Sequence, residues 1–275
     1  MRVLLTNDDG VRAPGIEAMH DALLGRNPHE PTALAADLLT CAPLTVQSAT
    51  SHGVTFNQPL MTTQERVSET MRAVAVDGRP ADCVKLAIAS IWPERFGPGD
   101  KPDLVVSGIN AGANVGINVI YSGTVAAALE AAFLGVPAIA VSLHMGDKPP
   151  DFAIAAARAL RAVRTILEAA GGRLEPGECL NVNIPLTHEG VASPREQPPL
   201  RVCPMNTHSL IDAYEKRLSP SGEAYYWPTG HGLDFEGADA GSDVDALFQG
   251  AVTVTPLFHD LTDDARLARW RSLLG

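Results

Sequence analysis

The sequence predicts an α/β fold: a mostly parallel sheet with helices on both faces, extended at its C-terminal end by arms or hairpins. Three observations carry this. Short apolar runs at Val3-Leu4-Leu5, Leu38 to Ala42, Ala73 to Val76, Asp103 to Val106, Ala138 to Leu143 and Leu180 to Ile184 are too short for helices. They are nearly continuous rather than alternating, as expected of parallel strands covered on both faces. Helical stretches separate most of them, whereas from Asn206 to Asp245 the chain turns rich in Gly, Asp, Tyr and Pro and the βα alternation stops. The expected organisation is therefore a core over residues 1–205 and an arm with a terminal helix over 206–275.

Taken in order, the first strand runs into Asn7-Asp8-Asp9-Gly10, and Gly15 to Leu24 reads as a helix with Pro14 near its start and Gly25 at its end. Residues 26–37 lack a steady period and read as a loop or a helix before the second strand. Pro43 leads into Gln47-Ser48-Ala49-Thr50-Ser51-His52-Gly53, a hydroxyl-rich loop suited to approach a ligand, and Val54-Thr55-Phe56 reads as extended. The turn Asp77-Gly78-Arg79-Pro80 precedes a buried helix over Ala81 to Trp92. The strand ending at Val106 delivers Ser107-Gly108-Ile109-Asn110 and a Gly/Asn-rich loop to Asn118, and Tyr121-Ser122-Gly123-Thr124 opens a helix over Val125 to Leu134. Residues 151–170 form an Ala-rich helix, Arg201 to Met205 and Ala251 to Thr255 are further strands, and Asp260 to Leu274 is a terminal helix with Leu267, Trp270 and Leu274 on one face.

Composition narrows the function. With 275 residues and 45% hydrophobic content the chain can bury a large core. A formal net charge of −11 would repel a nucleic-acid backbone, so no nucleic-acid polymer is expected as partner. The longest apolar region, Val125 to Leu143, is broken by Glu130, Gly135 and Pro137, so no membrane span is expected. The chain starts as a strand rather than a signal peptide, which points to a cytoplasmic protein. Cys41, Cys83, Cys179 and Cys203 form no Cys-x-x-Cys pair and read as buried thiols.

The chemistry concentrates at strand ends. Asp8 and Asp9 sit where a strand stops, and at the carboxyl edge of a parallel sheet adjacent acids repel unless a cation or proton separates them. Asn-Asp-Asp-Gly is also the composition of an ordinary capping turn, so other stretches must decide. Ser122, Gly123 and Thr124 place small residues at a helix N-terminus, where unpaired N–H groups can hold a phosphate, although simple N-capping would use the same residues. Ser48, Ser107 and Asn110 bring further oxygens to the same edge. Carboxylate, hydroxyl and amide oxygens suit Mg²⁺ or Mn²⁺ better than zinc. A hard cation beside a phosphate cradle implies phosphate-ester hydrolysis.

Asn7-Asp8-Asp9-Gly10-Val11 with Ala13-Pro14-Gly15-Ile16, Val76-Asp77-Gly78 with Pro80-Ala81-Asp82-Cys83-Val84, Val106-Ser107-Gly108-Ile109-Asn110-Ala111-Gly112, and Tyr121-Ser122-Gly123-Thr124-Val125-Ala126-Ala127-Ala128 resemble the SurE survival-protein family. The resemblance continues through Leu180-Asn181-Val182-Asn183-Ile184-Pro185 and Thr253-Val254-Thr255-Pro256-Leu257, nearly the whole chain in order. It implies a metal-dependent 5′-nucleotidase that also takes 3′-monophosphates or short polyphosphate, on a Rossmann-like domain whose C-terminal arms are exchanged in a homodimer or homotetramer. By that pattern the metal ligands fall on Asp8, Asp9, Ser48 and Asn110. Phosphate contacts fall on Ser107, Gly108, Asn110, Ser122, Gly123 and Thr124.

Departures from the pattern bear on these assignments. The serine loop lies later than usual because residues 26–37 are extended, so Ser48 is placed by its local context, with Ser51 as competitor. Leu44 stands where relatives often carry an acid, and residues 230–243 form a longer loop. His52 is a candidate proton donor, while His52 and His231 read equally as ordinary loop histidines. Two other classes compete. A dinucleotide-binding oxidoreductase would need a Gly-x-Gly-x-x-Gly after the first strand, where this chain has acids. A non-catalytic nucleotide or metal sensor would use the same pocket.

Overall fold

The computed structural model describes residues 1–275 apart from positions 189, 191, 192, 230 and 231, so His231 lies outside the described residues. A nine-stranded sheet runs through the molecule. Its strands are β1 (Arg2–Thr6), β2 (Asp37–Pro43), β3 (Thr62–Arg66), β4 (Arg72–Val76), β5 (Leu104–Ala111), β6 (Ala138–Leu143), β7 (Cys179–Ile184), β8 (Leu200–Val202) and β11 (Val252–Leu257). Their spatial order is β3-β4-β2-β1-β5-β6-β7-β11-β8. From β4 to β7 every pairing is parallel; β3 on β4 and β11 on β7 are antiparallel. β1 stands between β2 and β5, so the chain winds first to one side of β1 and then to the other. That reversal opens a crevice at the carboxyl ends of β1 and β5, the place where such sheets bind ligands.

Both faces are covered. On one, α1 (Pro14–Leu23) and α5 (Phe152–Ala169) pack over Val3, Leu5, Val106 and Val141. On the other, α2 (Pro80–Leu86), a π turn (Ala87–Ile91), α3 (Trp92–Phe96) and α4 (Gly123–Phe133) pack over Leu4, Val74, Val105 and Ala140. Burial on two sides explains why these strands read as continuous apolar runs. All four cysteines are free and buried, and burial pushes the Cys179 thiol up to about 12.

Several expectations are corrected. The segment Val54 to Phe56 is not extended within the sheet. Asp82, at the start of α2, takes it instead, accepting from the Thr55 N–H and hydroxyl, both at 2.8 Å. The edge strand β3 went unread because Thr-Thr-Gln-Glu-Arg is polar throughout, as an exposed edge strand should be. The buried helix continues past Trp92 to Phe96, and β5 continues to Ala111, so Asn110 ends a strand rather than opening a loop. β11 lies inside the sheet between β7 and β8, and a short helix α6 (Asp243–Phe248) packs Val244 and Leu247 on Ala113 and Val115.

What projects is smaller: an antiparallel hairpin of β9 (Tyr214–Leu218) and β10 (Ala224–Pro228), and α7 (Asp264–Leu274), none of whose residues is buried. Among the described residues no helix is long and apolar enough to cross a membrane.

Candidate active site

The acidic turn after β1 is fixed before any ligand enters. Asn7 Nδ2 donates to the Gly10 carbonyl at 2.9 Å, and Gly10 takes a φ of +94°, which an L side chain would resist. The end of β2 clamps the turn, with the Val11 N–H on the Pro43 carbonyl at 2.8 Å and the Gln47 N–H on the Asp8 carbonyl at 2.7 Å. Asp8 is buried and Asp9 half-buried. The Thr124 hydroxyl donates to Asp8 Oδ1, and the Ala111 N–H donates to Asp9 Oδ2 at 2.8 Å.

Electrostatics leave the pair short of positive charge. Burial pushes the Asp8 carboxyl up to about 6; the Thr124 hydroxyl opposes this and Asp9 adds to it. Burial likewise raises Asp9, against the pull of the Ala111 N–H. Asp8 and Asp9 therefore favour a proton or a cation between them.

Helix α4 aims its N-terminus at this pair. Ser122 caps it, accepting from the Val125 N–H at 3.1 Å, and the first-turn N–H groups have no intrahelical partner by geometry. A Cβ at Gly123 would lie 2.9 Å from the Asp8 Cβ, so glycine lets the helix end approach the carboxylate. A cavity of about 390 Å³ results, lined by Asp8, Asp9, Ser48, Asn110 and Ser122, with Tyr121, Met145 and Leu233 at its walls. The donor set is all oxygen. Among the described residues no group of three or more His, Cys, Asp or Glu side chains is placed to hold a metal ion.

The supporting loops are ordered by their own hydrogen bonds. The Ser51 N–H donates to the Tyr121 carbonyl at 3.1 Å, and Ala49 and Ser51 hold φ values of +55° and +51°, a left-handed backbone seldom tolerated by non-glycine residues. Asn110 Nδ2 donates to the Gly112 carbonyl at 2.7 Å, which leaves its Oδ1 for a ligand. Beneath lies an amide network that sequence reading missed. The Asn114 N–H donates to Asn183 Oδ1, its side chain to Ser142 Oγ, and Asn181 Nδ2 to the Asn114 carbonyl, at 2.7 to 2.8 Å. Two asparagines at alternate positions of an apolar strand were the available signal, since both point to one face.

The other candidates fall elsewhere. Ser107 is fully buried with no partner for its hydroxyl, and Gly108 passes so close to β6 that a Cβ would meet the Val141 carbonyl oxygen at 2.1 Å. Both shape the strand end and neither lines the cavity. The Thr124 hydroxyl is committed to Asp8 rather than open to a phosphate. Ser51, the competitor of Ser48, does not line the cavity either. His52 lies in a neighbouring apolar groove along α4, its Nε2 2.7 Å from Glu130 Oε2, with Lys85 Nζ on the other carboxylate oxygen at 2.8 Å. Burial raises the Glu130 carboxyl, but these two hydrogen bonds outweigh it and leave it below the usual range.

An α/β sheet with a buried and a half-buried acid and a helix N-terminus at its switch point defines a ligand-binding site for an anion joined to a hard cation. Comparison with known proteins narrows this. The family model "Survival protein SurE" matches residues 3–210, and this chain belongs to that family. It is 41% identical over 274 residues to the 5′-nucleotidase SurE of Rhodopirellula baltica, covering 98% of each chain. It is 39% identical over 263 residues to that of Syntrophobacter fumaroxidans, covering 95% of each. The crystal structure of the SurE protein from Aquifex aeolicus aligns over 100% of both chains with a TM-score of 0.79 at 33% identity.

Proposed function

We propose that this chain is a divalent-metal-dependent phosphomonoesterase that hydrolyses nucleoside 5′-monophosphates to nucleoside and phosphate, with 3′-monophosphates and short polyphosphate as further substrates. The observation that carries the reading is the convergence of Asp8, Asp9, Ser48 and Asn110 with the capped N-terminus of α4 around one cavity. The names of the 5′-nucleotidase relatives support the substrate class.

Asp8, Asp9, Ser48 and Asn110 would hold one Mg²⁺ or Mn²⁺. The fit rests on two adjacent, mutually repelling carboxyls, one buried and one half-buried, and an amide oxygen turned free by the Asn110–Gly112 hydrogen bond. Such an ion polarises phosphoryl oxygens and acidifies a bound water. The chain's own residues do the rest. The helix end at Ser122 and Gly123 presents N–H donors to the phosphate, Thr124 fixes the rotamer of Asp8, and the Ala111 N–H fixes Asp9. A cation shared with Asp9 would hold both acids ionised, so Asp8 would serve as a ligand and water-orienting group rather than as a nucleophile. The projecting hairpin and α7 serve assembly of a homodimer or homotetramer.

Phosphate release from AMP with added Mn²⁺ or Mg²⁺, and its loss on chelation, tests the reading. Full turnover in chelator, or none with either metal, would sink it.

A further inference from the structure

The same sheet edge carries a second cavity, about 530 Å³, where β6 and β7 end at His144, Pro185 and Leu186. It shares no lining residue with the acid cavity among the described residues. Arg158 of α5 lines it and is only 3% exposed. Ala155 and Ala162, three residues before and four after Arg158, are its small neighbours on that face of α5. A charge so deeply buried normally sits against a carboxylate. Arg161 and Arg164 on the same helix follow this, pairing with Glu30 at 3.0 and 2.6 Å. Arg158 does not. Its Nη1 donates to the Leu186 carbonyl at 3.2 Å, its Nε is buried without an acceptor, and it forms no ion pair among the described residues.

The surroundings leave this charge uncompensated. Burial, and behind it the neighbouring Arg161, disfavour the charged form; Glu196, an exposed residue lining the same cavity, favours it without forming an ion pair. Prolines and Phe248 supply the apolar walls. The guanidinium edge left over, Nε with Nη2, is the planar fork that matches two oxygens of one anion.

We propose that this cavity binds a small oxyanion, phosphate or carboxylate, through the Nε and Nη2 edge of Arg158. Its polarity is opposite to that of the acid cavity. There an anion needs a cation between the two carboxylates; here it needs none, so binding in chelator reports this site and is independent of whether the first one hydrolyses nucleotides.

The test is thermal melting and calorimetric titration of the full chain in chelator with inorganic phosphate, with acetate, and with chloride at matched ionic strength. The wild-type chain should be stabilised by phosphate or by acetate beyond chloride, and the anion that acts identifies the source. Arg158→Met should weaken that binding by about tenfold or more and, in anion-free buffer, melt no lower than wild type, because an uncompensated buried charge is removed. Glu196→Gln should bind at least as tightly. Equal responses to all three anions would overturn the proposal. So would an Arg158→Met chain that melts several degrees lower in anion-free buffer yet keeps the anion response, since Arg158 would then be a structural group.

Discussion

Strands at the middle of the sheet and strands of the projecting hairpin use the same backbone and differ in what covers it. In β1 and β6 all but the first residue of β1 are buried, while every residue of β9 and β10 is exposed. The central strands end in polar groups held by long-range hydrogen bonds. Among the described residues the hairpin strands pair with each other and with no other strand, and their hydrogen-bonded side chains, such as Arg217 on Glu215 at 2.9 Å, lie in solvent. A two-stranded ribbon of this kind is marginal alone. The lesson is that the chain concentrates its covalently distant constraints at one sheet edge, where a site must be rigid, and leaves the hairpin exposed.

The strongest way to break the comparison is to attack the rigid edge at its centre. Asp8→Asn keeps the shape of the side chain and removes the buried one of two adjacent carboxyls. Turnover should fall by about 10³-fold or more, roughly 4 kcal/mol in the barrier. Melting should not fall, because burial opposes the charge that is removed. Steady-state assays with saturating Mn²⁺ check the first and calorimetry the second; retention of a tenth of wild-type kcat would refute the assignment of Asp8.

Packing around the edge should be nearly as intolerant. A Cβ at Gly15 would lie 2.0 Å from the Ile109 carbonyl oxygen, a backbone atom with little room to move. Gly15→Ala should cost about 3 kcal/mol or more in urea unfolding, because helix α1 must lift off β5. An unchanged midpoint would show that the edge is softer than its contacts indicate.

These two sites show why some of the molecule was legible and some was not. Asp8, Asp9 and Ser122 could be read because their chemistry lies within a few residues of a strand end or a helix start. β3 could not, because a polar edge strand carries no apolar period, and α6 is short and hidden in a Gly- and Asp-rich stretch. The Asn114 network spans 67 and 69 residues to Asn181 and Asn183, and His52 reaches Glu130 across 78. Such pairings follow from the fold, so a single sequence shows the residues without showing that they meet.

A smaller effect sharpens the boundary between edge and surface. Glu130 is buried and joins His52 to Lys85. Its folded carboxyl lies below the ordinary value of 4.5, so its contribution is present above that value and is lost as pH falls through the folded one. Glu130→Gln should therefore lower stability by about 1 to 2 kcal/mol at pH 7, with the gap to wild type closing below about pH 4.5. A gap independent of pH would mean that the packing of the side chain, and not its charge, carries the effect.

The smallest effect on the chain itself should come from the exposed arm, and here the comparison predicts a split between folding and assembly. Tyr226 in β10 and Trp270 in α7 are 60% and 52% exposed, and neither belongs to the hydrophobic clusters of the core. Replacing either by Ser removes little burial within one chain, so unfolding at high dilution should change by no more than about 0.5 kcal/mol. Yet large aromatic side chains left in solvent are what subunit contacts are made of. If the arm is completed by another copy, Tyr226→Ser and Trp270→Ser should shift light-scattering mass towards the monomer at micromolar concentration while wild type stays associated. Loss of stability in a chain that is already monomeric would instead place these side chains within the fold, and the contrast between rigid edge and unfinished arm would fail.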